Sequence, residues 1–195
     1  MHDFTERLNF SECVGLEDDL IAYLLGIIPY SLKCIRASQS NDRNGVDFWI
    51  IRKGELPPIA IDVKHREFDP IERFGSDDVC IETCSVYTGP PTPPWLDEHR
   101  KVIGWTLNPL KRTDLVVYSW PQSDGSRRFW IVYFPFLCRA ALANWRLWAQ
   151  LYGEKPVFNQ GYLTLCIFPP RHVVEEAIRR IQGGVIVCRK PLKQP

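Results

Sequence analysis

Asp47, Asp62 and Lys64 are the residues whose types and spacing invite chemistry. In the run Ile59-Ala60-Ile61-Asp62-Val63-Lys64-His65, strand alternation sends Ile59, Ile61 and Val63 one way and Ala60, Asp62 and Lys64 the other. Asp62 and Lys64 thus share a face, about 6.5 Å apart at roughly 3.3 Å per residue. Upstream, Gly45-Val46-Asp47-Phe48-Trp49-Ile50-Ile51 is a second β-patterned run. The Gly and Pro punctuation of Arg52-Lys53-Gly54-Glu55-Leu56-Pro57-Pro58 joins the two as a hairpin. If opposed residue numbers add to an odd constant, as with Lys53 opposite Pro58, Asp47 lies opposite Lys64 and diagonal to Asp62, on the same face. A slip of one residue sends it to the other. Two carboxylates and an ammonium among apolar neighbours are costly unless paired or bound to a metal. Carboxylate oxygens suit Mg²⁺, which keeps several waters and takes a phosphate as a further ligand. Such an ion lowers the pKa of a bound water and offsets charge on the phosphorane, and an adjacent lysine orients that water. The chemistry expected of this set is phosphodiester hydrolysis.

The elements that must position these residues carry a wider pattern. Leu16, Leu20, Ile21, Leu24, Leu25 and Ile28 fall at helical spacing, with Glu17, Asp18 and Asp19 in the first turn and Pro29 as a stop. Helix, then Asp47 at the start of one strand, then Asp62-Val63-Lys64 at the end of the next resembles the PD-(D/E)XK (restriction-endonuclease-like) nuclease superfamily. Val46 stands where the name of the motif has Pro, a position that varies in the family. The resemblance implies an α/β fold with a mixed central β-sheet flanked by α-helices. It implies Asp47 and Asp62 as metal ligands, the backbone carbonyl of Val63 completing the set, and Lys64 assisting the attacking water. Mg²⁺, with Mn²⁺ as a substitute, is the cofactor so implied, and DNA, more than RNA, the substrate.

Two further acids enter in the same way. Glu17 sits where many families place an extra metal ligand on the first helix; the alternative is a solvated acid matching the helix dipole. In Val79-Cys80-Ile81-Glu82-Thr83-Cys84-Ser85-Val86-Tyr87, Cys80, Glu82 and Cys84 share one strand face. A strand with Ile-Glu after a D-x-K strand resembles a branch of the superfamily common in phage and mobile elements, where a later Glu helps build the active site. The alternative for Glu82 is a cross-strand partner for Lys64 or Arg66. Gly104-Trp105, Thr113-Asp114 and the apolar run Leu115–Trp120 extend that likeness. Arg36, Arg43, His65 and Arg66 are candidate phosphate contacts, with Arg43 in a polar loop just before Asp47. A homodimer is open, since cutting two strands invites two sites. So is a different class altogether, a nuclease-like fold that binds nucleic acid or protein without cutting, as an inhibitor of host defence would.

Length and composition bound the rest. The 195 residues suit one domain, its core over about 16–170, with a basic tail at 189–195. A net charge of +1 neither announces nor excludes a nucleic-acid partner, because a nuclease keeps acids in its site. The seven cysteines are scattered with no C-x-x-C, which argues against a zinc ribbon and for reduced thiols in a cytoplasmic setting. No signal-like N-terminus and no membrane-length apolar run occurs, and no G-x-G-x-x-G, Walker A or G-x-S-x-G. Downstream, Phe129–Phe134 reads as a strand. A helix follows with Leu137, Ala141, Trp145, Trp148 and Tyr152 on one stripe, those tryptophans being core. A strand at 161–168, a helix from Pro169 to about Ile181 and a strand at 185–188 complete the expectation.

Overall fold

The computed structural model describes residues 17–38, 45–159 and 162–181, Glu17 by its backbone alone. Arg43, the N-terminal arm, the strand expected at 185–188 and the basic tail lie outside the described residues. Chain order is α1 (Glu17–Ile27), β1 (Ser31–Arg36), β2 (Phe48–Arg52), β3 (Ile59–His65), α2 (Pro70–Phe74), β4 (Ile81–Tyr87) and β5 (Arg100–Ile103). Then follow β6 (Leu115–Pro121), β7 (Arg127–Tyr133), α3 (Phe134–Tyr152), β8 (Glu154–Asn159), β9 (Tyr162–Ile167) and α4 (Arg171–Arg180). A short 3₁₀ turn at Trp105–Leu107 sits between β5 and β6.

The central sheet has the order β1-β2-β3-β6-β7. It is mixed: β3 and β6 run parallel, and the other neighbours are antiparallel. The mixed α/β class expected from the sequence is what forms. Alternation along the strands divides the sheet into two apolar faces. On one, Leu20, Leu24 and Ile28 of α1 and the residue following it pack on Phe48, Ile50, Ile61, Val63, Val117 and Ile131. Burying an aliphatic side chain of this size contributes about 1.5–3 kcal/mol before entropy, so this stripe is what fixes α1 on the sheet. On the other face, Val116, Tyr118, Trp130 and Val132 meet α3, α4 and the buried ends of β4 and β9. Trp148 is core, as its stripe predicts, and Trp145 packs partly buried against the same cluster.

A second sheet, β5-β4-β9-β8, is antiparallel throughout, a separation the sequence pattern does not announce. Its β4 and β5 lie between β3 and β6, in the excursion that a parallel pair requires, whereas β9 and β8 come from the chain after α3. Two local readings are corrected here. The Lys53–Pro58 pairing fails, because the ladder runs Phe48↔Ile61, Trp49↔Ala60 and Ile50↔Ile59. The sum is odd, as expected, but the connection is longer, and Asp47, just before the paired residue Phe48, bonds by its N–H to the Ile61 carbonyl next to Asp62 rather than pairing with Lys64. In β4 the register on β9 shifts between Glu82 and Cys84, a bulge that breaks the two-residue alternation. Cys84 is buried with Tyr87 and Leu165 and does not share the face of Glu82.

Candidate active site

Asp47 is the residue that leads into β2. Its N–H donates to the Ile61 carbonyl at 2.8 Å, and its own carbonyl accepts from Ala37 N–H at 2.8 Å. Pinned on both sides, it turns its carboxylate to β3, where Oδ2 accepts the Val63 N–H at 2.6 Å. Asp62, next to Val63 and 3% exposed, holds Lys64 Nζ at 2.8 Å on Oδ1. The parallel partner of this stretch is apolar: Asp62 faces Val116 and Lys64 faces Tyr118. The three residues singled out by spacing therefore meet on one sheet face, at the start of β2 and the end of β3.

The electrostatics follow from two acids and one cation. Burial works to lower the Lys64 ammonium, but Asp62 and then Asp47 outweigh it, and the net shift is upward. Lys64 is thus a permanent cation at neutral pH, suited to donating a hydrogen bond or stabilising an oxyanion and unsuited to taking a proton. Its Nζ also lies 4.7 Å from the centre of the Trp105 ring. Trp105 is the neighbour that sequence reasoning missed. Gly104-Trp105 stands out in the sequence, but nothing local shows that the indole reaches Lys64.

Glu82 comes to the same region without meeting the carboxylates directly. Its Oε1 accepts from Trp105 N–H at 3.1 Å and from Ser85 Oγ at 2.5 Å, while its own N–H donates to Thr106 Oγ1 at 3.1 Å. Arg66 lies beyond Lys64, its guanidinium 5.5 Å from the centre of the Tyr118 ring. The Cys80–Cys166 thiol pair adjoins it. The Cys80 thiol is held down by its hydrogen bond with Cys166 and by Arg66, and the Cys166 thiol is pushed up. Cys34, Cys80, Cys84, Cys138 and Cys166 are not in disulfides.

The remaining candidates separate. Glu17 opens α1, with its side chain outside the description. Arg36 is an exposed residue at the end of β1, its guanidinium 6.0 Å from the centre of the Phe48 ring. His65 follows Lys64 and so turns to the opposite sheet face, where burial and then Arg127 lower its imidazole to about 4. That places it away from the carboxylates, and neutral. At Val63 the group engaged with Asp47 is the N–H.

The donor set suits a small hard cation. Among the described residues, no group of three or more His, Cys, Asp or Glu side chains could hold a metal. Two carboxylates are still a number Mg²⁺ takes when it retains waters. No sulfur or imidazole belongs to the set, which disfavours zinc.

No family model and no curated protein matches the chain. Among solved structures, it is similar to D212, a nuclease from a fusselovirus. Identity is 11% and the TM-score 0.33, over 92% of this chain and 95% of that chain. A likeness of that size leaves the function to be argued from the site itself. Among the described residues no helix is long and apolar enough to cross a membrane.

Proposed function

We propose that this chain is a metal-dependent nuclease, with Asp47 and Asp62 holding Mg²⁺ and Lys64 stabilising charge on the scissile phosphate. The observation that carries this reading is Asp47 bonded to the residues on both sides of Asp62, the Ile61 carbonyl and the Val63 N–H, with Lys64 two residues along β3 paired to Asp62. When bound, Mg²⁺ would supply Lewis acidity and a water of lowered pKa. The chain's own groups do the rest. Asp47 is oriented by the Val63 N–H, and the raised Lys64 keeps a positive charge where negative charge develops. The Val63 carbonyl and Glu17 remain candidate further ligands, Mn²⁺ a substitute metal and DNA the favoured substrate. Arg36 and Arg66 are candidate phosphate contacts on either side. A copy of the chain for the second strand is part of the same proposal.

The test is incubation of wild type and Asp62→Ala with supercoiled, linear and single-stranded DNA, and with RNA, in Mg²⁺, Mn²⁺ or EDTA. Cleavage that needs metal and vanishes in the variant is the expected result. A wild-type protein that binds nucleic acid but cuts under none of these conditions would replace this reading with that of a non-cutting binder.

A further inference from the structure

We propose that Trp105 is the positioning residue for Lys64, and that Glu82 acts through Trp105 rather than on the metal; the catalytic part of this rests on the nuclease reading above. The indole ring lies 4.7 Å from Lys64 Nζ, within the range of a cation–π attraction. Lys64 also pairs with Asp62 at 2.8 Å, so its ammonium is held between one carboxylate and one aromatic face. Without the aromatic face, a four-carbon side chain retains rotamers that carry the charge elsewhere.

The second sheet builds this face deliberately tight. Gly104 precedes Trp105, and a Cβ there would come within 2.1 Å of the Glu82 carbonyl oxygen and 2.4 Å of its carbon, both backbone atoms. Gly104 N–H donates to the Thr83 carbonyl at 3.1 Å, which locks the turn onto β4. The Glu82 carboxylate then accepts Trp105 N–H, and Glu82 N–H donates to Thr106 Oγ1, so the turn is fastened at two consecutive residues. Beneath the indole, Phe134 stacks at 6.0 Å and Tyr118 packs at 6.3 Å. Every one of these contacts fixes the position of a ring whose charged neighbour is Lys64. An acid used this way serves as a hydrogen-bond acceptor, and its charge is incidental to the metal.

Two arms test the proposal. In the first, cleavage kinetics are compared for Trp105→Leu, Trp105→Phe, Glu82→Ala and Glu82→Gln, each shown to be folded by its unfolding midpoint. Trp105→Leu and Glu82→Ala are expected to lower kcat about tenfold with KM within about threefold. Trp105→Phe, which keeps a weaker aromatic face, and Glu82→Gln, which keeps an acceptor oxygen, are expected to recover most of that loss. Glu82→Gln falling as far as Glu82→Ala would make Glu82 a charge-bearing ligand and overturn its role here. The second arm needs no activity. In ¹H–¹³C spectra, the Lys64 ε-methylene signal, identified by its loss in Lys64→Met, is expected upfield of the other lysines through the indole ring current and at the ordinary position in Trp105→Leu. A Lys64 signal at the ordinary position in the wild type overturns the contact. If the wild type cuts nothing, the nuclease reading fails by itself, and the spectra still decide whether Trp105 holds Lys64.

Discussion

Asp62 and Asp69 are almost equally buried, at 3% and 2% exposure, yet their surroundings differ in kind. Asp69 is saturated. Arg128 donates to it twice, Nε to Oδ2 at 2.7 Å and Nη2 to Oδ1 at 2.9 Å, Ile71 N–H adds 2.8 Å, and Gln122 donates as well. Arg128 also reaches Asp77 at 2.8 Å, which Arg171 of α4 holds at 2.8 Å. That chain ties the loop after β3 to β7 and α4. Among the described residues, Asp62 has a single charged donor, Lys64, and shares it electrostatically with Asp47. The planar guanidinium closes its site with paired donors, whereas the ammonium meets Asp62 at one oxygen. Burial is the same, but among the described residues Asp62 meets fewer donors than Asp69. Buried charge alone is therefore a poor guide to function; the donor count separates the two.

This contrast can be broken experimentally, beginning with the largest effect. Asp62→Ala is expected to lower cleavage by about 10³-fold or more while changing unfolding free energy by about 1 kcal/mol or less. The released Lys64, already 26% exposed, extends to water. Urea unfolding and kinetics on the same preparation check both halves. Arg128→Ala should do the reverse. It strands Asp69 and is expected to cost about 3–5 kcal/mol in urea unfolding, with kcat within about threefold where the variant is folded. Asp69 titrates below the usual carboxylate range because Arg128, Ile71 N–H and Gln122 outweigh its burial. Its contribution is therefore present above the ordinary carboxylate pKa and lost as pH falls through its lower folded value. Arg128→Ala should lose that acid-dependent part.

His65 supplies a smaller and differently signed effect on the back of the same strand. Its folded value of about 4 lies below the ordinary 6.5, so the native state resists protonation. Stability is full above pH 6.5 and falls as pH drops from 6.5 towards 4, by roughly 2–3 kcal/mol. His65→Asn should flatten that window in a pH series of unfolding midpoints. The smallest effect is expected at Arg36, an exposed position. Arg36→Ala should raise KM about threefold or less, with steeper salt dependence in the wild type.

Much of this was legible in the sequence where the cause is local. The alternation of Ile59 to Lys64 set the faces of β3, the α1 stripe set its packing, and the odd register put Asp47 with Asp62. The offset was not legible, because a connection as long as Lys53–Pro58 does not dictate one turn type. Pairings between distant strands were lost for the same reason: nothing near Ile81 announces Ile167 as its partner. β8 was hidden by Pro156, which is tolerated there because β8 is an edge. At β4, a bulge beyond Glu82 interrupts the alternation that predicts a shared face with Cys84. The one-turn α2 had a signal that went unused, Asp69-Pro70, which is its N-cap and first residue.

The parallel pairing of β3 with β6 has a kinetic consequence. The β2–β3 hairpin joins Asp47 to Asp62 through a short connection and closes in microseconds. Completing the floor beneath Lys64 requires the whole excursion from residue 65 to residue 115, with β4 and β5 inside it, to return before any ladder bond rewards it. During refolding, the acids should be assembled well before Trp105 arrives. The nascent chain would then carry a hairpin with both aspartates in place and no means yet of holding its lysine.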